Sequence, residues 1–202
     1  MTRKKTVQAL CIVALLLLPS VASAGEFEIT PFIGYQYGGD IETFFQGEYH
    51  NVSVSSSENW GVMFNLGLSE AVQIEFLYNT QDTKADARRF DDSLGLTIDY
   101  YQVSMLWDFN PYSQVRPYLV FGIGGTWLRP DGFSNLSRFS GNIGGGAKIF
   151  FSDHVGLRLE GRFYGTYINS TTSYCDPFWC YGYNNSLYQF DFSAGLIIRF
   201  GD

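Results

Sequence analysis

The amino-acid sequence predicts an all-β fold, an eight-stranded antiparallel up-and-down transmembrane β-barrel. Three observations lead there. Eight stretches alternate apolar and polar residues with a period of two. The polar positions are crowded with glycine. The apolar positions of the proposed spans hold no charge and end in aromatic rings.

The N-terminus reads as a leader. Met1-Thr2-Arg3-Lys4-Lys5 carries three positive charges, an apolar run covers residues 9–18, and Pro19 and Ala22-Ser23-Ala24 follow. Charged start, short apolar core and A-x-A site describe a secretory signal peptide. The run is too short to be a spanning helix, which needs about 20 residues. Cleavage after Ala24 divides the chain into a signal (1–24) and a barrel domain (25–202). Cys11 opens the apolar run and leaves with it.

Of the 202 residues about 178 remain, enough for one domain. The formal charge of −7 comes from 13 bases and 20 acids; losing Arg3, Lys4 and Lys5 leaves 10 bases against 20 acids, near −10. So acidic a chain lacks the clustered Lys and Arg that neutralise phosphates, so no nucleic-acid partner is expected. No later apolar run is long enough for a transmembrane helix.

The first strand alternates Phe27, Ile29, Pro31, Ile33, Tyr35 and Tyr37 with Glu28, Thr30, Phe32, Gly34 and Gln36. Pro31 has no amide donor, so a bulge or one missing ladder bond is expected there. The second strand sets Trp60, Val62, Phe64, Leu66 and Leu68 against Asn59, Gly61, Met63, Asn65 and Gly67. The third sets Val72, Ile74, Phe76 and Tyr78 against Gln73, Glu75, Leu77 and Asn79. In the fourth, residues 94–109, the phase changes. Leu94, Leu96 and Ile98 share one parity, whereas Tyr101, Val103, Met105 and Trp107 share the other, and a β-bulge near Tyr100 and Tyr101 would reconcile them.

Pro117, Leu119, Phe121, Ile123 and Trp127 mark the fifth strand, and Ile143, Ala147 and Ile149 the sixth. Val155, Leu157, Leu159, Phe163 and Tyr167 alternate with Arg158, Glu160, Arg162 and Tyr164 in the seventh. The eighth runs Tyr188, Phe190, Phe192, Ala194, Leu196, Ile198, Phe200. Short turns at 69–71, 110–115 and 152–154 alternate with long polar segments at 39–56, 80–93, 129–137 and 169–185. Short periplasmic turns and long extracellular loops, with both termini periplasmic, are the expected arrangement.

Alternation does not say which parity meets lipid, since a soluble eight-stranded barrel turns its apolar side inward. The polar parity holds Gly34, Gly61, Gly67, Gly122, Gly124, Gly144, Gly146, Gly156 and Gly195. A water-washed face gains nothing from glycine, whereas the crowded bore of a small barrel needs it. Tyr35/Tyr37, Trp60, Tyr78, Tyr101, Trp127, Tyr167 and Tyr188 would form an outer girdle, and Phe27, Trp107/Phe109, Phe151 and Phe200 an inner one. Lipid therefore meets the apolar parity. The lumen then receives Glu28, Glu75, Asp108, Glu160 and Asp191 with Lys148, Arg158, Arg162 and Arg199, a near-balanced network of charge.

The eighth strand resembles the C-terminal signal of outer-membrane barrel proteins, with Phe192, Leu196, Ile198 and Phe200 at every-second positions and Gly201-Asp202 as the departure. Arg116-Pro117-Tyr118 with Gly122 and Gly124, and Gly156-Leu157-Arg158-Leu159-Glu160, are similar to strands five and seven of small OmpA/OmpX-like barrels. The resemblance covers residues 25–200. It implies insertion in a bacterial outer membrane, recognition of the last strand by the assembly machinery, contact with outer-membrane lipids and lipopolysaccharide, and no periplasmic peptidoglycan-binding domain.

No catalytic, metal or cofactor site is expected. Cys175 and Cys180, in the last long loop, are a disulfide pair in an oxidising compartment, and no further ligands accompany them for a metal. His154 reads as a turn residue. His50, with Ser53 and Ser55, invites comparison with lipid-A acyltransferases and deacylases. Residues 141–148 have phosphate-loop glycines but Ala147 where Lys is required, and Gly122-Ile123-Gly124 lacks a third glycine; both are barrel glycines.

The first two loops are acidic: Asp40, Glu42 and Glu48, then Asp82, Asp86, Asp91 and Asp92 with Lys84, Arg88 and Arg89. Tyr174, Phe178, Trp179, Tyr181 and Tyr183 in the last loop form a contact patch, either adhesive or packed on itself or on lipid head groups. The expected function is structural or surface-interacting and non-enzymatic, through envelope integrity or loops presented to an unknown surface partner. A lipid-A-modifying enzyme and a narrow porin-like channel are the alternatives.

Overall fold

The computed structural model describes residues 26–45, 48–87, 94–132, 134–168, 175–176, 179–180 and 185–201. The expected signal peptide lies outside them. No described segment is helical.

Eight long strands close a barrel: β1 (Phe27–Tyr37), β4 (Ser57–Ser69), β5 (Val72–Ala87), β6 (Leu94–Asp108), β7 (Val115–Pro130), β8 (Leu136–Phe150), β9 (Val155–Ile168) and β12 (Asn185–Phe200). Each pairs antiparallel with its neighbours in sequence order, and β1 meets β12 to complete the ring. Three short turns, together with Phe27 and Phe200, which pair with each other, gather at one end. Outside the ring, β2 (Asp40–Phe45) and β3 (Glu48–Val54) form a hairpin whose β3 joins the upper part of β5. Residues 39–56, expected as a loop, thus carry two strands. β10 (Cys175–Asp176) and β11 (Trp179–Cys180) form a small hairpin of their own.

The parity assignment holds along the spans. Ile33, Trp60, Phe76, Val103, Phe121, Ile143, Phe163 and Phe192 project outward and are exposed on the wall, whereas Glu28, Glu75, Lys148, Arg158, Glu160 and Arg162 are buried within. Such a surface is stable only against hydrocarbon. Aromatic rings touch around the upper wall, with Trp60 edge-on to Tyr78, Tyr78 against Tyr101 and Tyr101 edge-on to Trp127.

At Pro31 there is no bulge: the β1–β12 register is the same on either side, but Thr30 and Pro31 have no partners in β12. The β1–β4 ladder runs unbroken through Pro31 and Val62, so the missing donor is directed at the closing seam.

The bulge expected near Tyr100 and Tyr101 is absent. β6 pairs with β5 from Val72 and Trp107 up to Ala85 and Leu94 without a shift, and with β7 likewise. Leu96 and Ile98 simply face the interior, in line with Tyr100 and Gln102, and are buried there. Asp99 accordingly stands on the outer side, above Tyr101. The phase change marks a change of solvent. Below the girdle, hydrocarbon surrounds the wall and apolar residues turn outward. Above it, the strands continue past the membrane, water surrounds the wall, and apolar residues turn inward as in a soluble barrel. Val54, Ala85, Leu96, Ile98, Leu128 and Leu187 form that inner apolar tier. On the outer side, Asp99 pairs with Arg129 at 2.5 Å and accepts a 2.7 Å bond from Thr80, and Thr97 donates to Asp82 at 2.8 Å.

Candidate functional site

The alternation of β9 sends Arg158, Glu160 and Arg162 into the bore one above another. Glu75 reaches them from β5, which lies across the ring from β9. Arg158 Nη2 binds Glu75 Oε2 at 2.6 Å, and Arg162 Nη2 binds Glu75 Oε1 at 2.7 Å. Arg162 Nε lies 2.6 Å from Glu160 Oε1, and Arg158 pairs with Glu160 Oε2. Two guanidinium groups thus sit between two carboxylates and tie opposite walls together. Each is almost wholly buried. Charge-assisted bonds of this kind are strong in a low dielectric, and removing one partner is costly.

Tyr118, not expected among the lumen charges, completes the network. Its hydroxyl donates to Glu160 at 2.7 Å and accepts from Arg158 Nε at 2.8 Å. To reach β9 the ring lies over Gly146, its register partner on β8. A Cβ at Gly146 would run into the carbonyl oxygen of Leu159 and come within 2.7 Å of the Tyr118 hydroxyl. Here glycine is required by close approach.

Lys148 and Arg199, grouped by sequence with the same network, belong to a second cluster nearer the short turns. Lys148 Nζ binds Glu28 at 2.8 Å and Gln73 at 2.7 Å, with Asp108 at 3.7 Å. Arg199 reaches the other oxygen of Glu28 at 3.1 Å, and its guanidinium lies 3.8 Å from the centre of the Phe150 ring.

Asp191 stands apart from both. Asn59 donates to it at 2.7 Å, and no ion pair joins it among the described residues. Around it stands a third tier, whose other members are uncharged side chains. Tyr100 donates to Gln189 at 2.6 Å, Gln36 donates to Gln189 at 3.1 Å, and Tyr100 stacks on Tyr164 at 4.3 Å. The inward parity of Gln36, Tyr100, Tyr164 and Gln189 was the signal available for this tier. With the apolar tier above it, each of these levels of the bore carries inward side chains that are buried.

Among the described residues, no group of three or more His, Cys, Asp and Glu is placed to hold a metal ion. His154 lies exposed in a short turn. His50 is on β3 opposite Thr43, and nothing is described of its side chain. Cys175 and Cys180 are opposite each other in the backbone register of β10 and β11. Of the expected contact patch, Tyr174, Phe178, Tyr181 and Tyr183 lie outside the described residues, and only the backbone of Trp179 is described. Phe192, Leu196, Ile198 and Phe200 project outward from β12, exposed to the lipid side.

The chain matches the family model of the outer membrane protein beta-barrel domain over residues 11–200. Among solved structures, OprG of Pseudomonas aeruginosa superposes with a TM-score of 0.61 at 14% identity, over 89% of this chain and 97% of that one. Neisserial surface protein A gives 0.58 at 14% identity, over 86% and 97%. AlkL gives 0.58 at 11% identity, over 89% and 92%. At these identities the likeness is one of fold. No curated protein sequence matches the chain.

Proposed function

Because the chain belongs to the outer membrane protein beta-barrel domain family, and so to the bacterial outer membrane, we propose that it serves there as a non-enzymatic scaffold, bracing the envelope and presenting its long loops to a surface partner. The observation that carries this reading is the buried, mutually paired charge network inside the barrel. Four charged side chains on opposite walls saturate one another, and an apolar tier lies above them. A network so fully paired holds shape and leaves none of its charges free to line an ion path, which argues against a narrow channel. The lipid-A-modifying alternative rests on His50 with Ser53 and Ser55, and no observation favours it.

In this reading the termini and short turns face the periplasm, export uses the 1–24 signal, and the assembly machinery recognises the last strand. Lipid and lipopolysaccharide surround the wall. The outer loops are then the variable, functional part. Deleting residues 174–183 leaves a barrel that still assembles, judged by its heat-dependent gel shift. Cells carrying the deletion lose binding to host-cell or surface ligands that wild-type cells retain. Equal binding by both strains defeats the loop assignment.

The same loop is proposed to carry a Cys175–Cys180 disulfide, supported by the direct pairing of the two positions across a tight hairpin. Mass spectrometry of purified protein is expected to find both thiols protected from alkylation until reductant is added. Because the bond lies beyond the barrel, Cys175→Ser with Cys180→Ser changes barrel stability by no more than about 0.5 kcal/mol. Free thiols in unreduced protein refute the bond.

A further inference from the structure

The outer wall is not evenly covered. Where β12, β1 and β4 meet, a groove of about 930 Å³ runs across the closing seam. Its floor is Ala194, the one small side chain in the outward series from Phe190 to Phe200. Ala194 faces Ile33 across the β1–β12 pair, and Ile33 in turn faces Trp60 on β4. Tyr35 and Phe192, also paired, rise above them. All four large side chains stand well exposed, Ile33 at 72%. The upper lip is polar, formed by the outward carboxylates of Glu58 and Asp82 at the level where the face polarity reverses.

We propose that this groove holds one hydrocarbon chain of an outer-leaflet lipid more tightly than the rest of the wall does. The inference rests on the membrane placement given above and adds a specific occupant to it. The lower groove opens onto the surface that hydrocarbon wets and is continuous with it. The upper lip belongs to the part of the wall that water wets. An occupant must therefore be apolar beside Ile33 and Phe192 and polar beside Glu58 and Asp82. That is the form of a lipid at the boundary between chain and head group. Tyr35 and Trp60 suit that depth, since each ring has an apolar body and a polar tip. The volume lies within the range of pockets that retain small ligands. A chain lying in the groove gains contact on three sides, whereas a chain on the convex wall gains it on one.

Native mass spectrometry of the full chain, extracted from outer membranes and exchanged into a second detergent, tests the proposal. Wild type is expected to keep one adduct with the mass of an outer-membrane lipid. Ala194→Phe fills the floor and lowers the retained fraction about tenfold, the change that a loss of about 1.4 kcal/mol produces. Leu119→Phe adds bulk to the outward face of β7, across the ring, and leaves the adduct in place. The heat-dependent gel shift shows that both variants fold. Equal adducts in all three proteins, a detergent-only mass, or a dimer seated at this face overturns the groove while leaving the membrane placement intact. A chain that is monomeric without detergent overturns the membrane placement itself.

Discussion

Replacing Glu160 with alanine is expected to cost the barrel about 3–5 kcal/mol, the usual effect of removing one member of a buried ion-pair network. Glu160 accepts from Arg158, Arg162 and Tyr118. Without it, two guanidinium groups share the single carboxylate of Glu75, and the Tyr118 hydroxyl loses its acceptor. None of these groups can turn to water, since all are almost wholly buried. Asp191→Asn is the contrasting variant. Asp191 has no ion-pair partner among the described residues, and an amide retains room for the bond from Asn59. Its change should stay within about 1 kcal/mol. Denaturant unfolding of the barrel in lipid vesicles, followed by tryptophan emission, measures both. Similar losses for the two variants would show that the alternating square of charges is not what braces the bore.

Val103→Arg is expected to cost about 2–4 kcal/mol, the penalty for an arginine facing the bilayer midplane. Val103 projects outward from β6 between Phe76 and Ile123, its partners on either side. Thr97→Arg is made on the same strand and the same side, but above Tyr101 and beside the exposed Asp82. There the new charge meets water, and the change should stay within about 0.5 kcal/mol. The pair of variants isolates depth from every other variable. If both cost alike, hydrocarbon does not end at the girdle.

The eight spans were legible because each has two faces in different solvents, and a period of two reports that directly. Arg158, Glu160 and Arg162 were legible as inward residues for the same reason. Glu75 was expected among the same lumen charges, but which groups pair was not legible, and Tyr118 gave no sign of joining them. Both come from strands distant in sequence, and only closure of the ring brings them to β9. β6 is regular where its sequence suggests a bulge, for a physical reason. A bulge near Tyr100 assumes that one face stays apolar along the whole strand. Leu96 and Ile98 belong to a length of strand with water outside, so the apolar side reverses while the backbone stays regular. The β2–β3 hairpin escaped notice because residues 39–56 lack sustained alternation and read as polar loop.

That reversal also sets a waterline. Sliding the barrel by two residues along its strands, about 7 Å, would submerge the Asp99–Arg129 pair or lift Tyr101 and Trp127 clear of the hydrocarbon. Immersion depth is therefore written into the side chains of the wall itself, without a separate anchor. A bilayer of another thickness must stretch or thin to meet this protein, because the protein has little freedom to ride higher or lower.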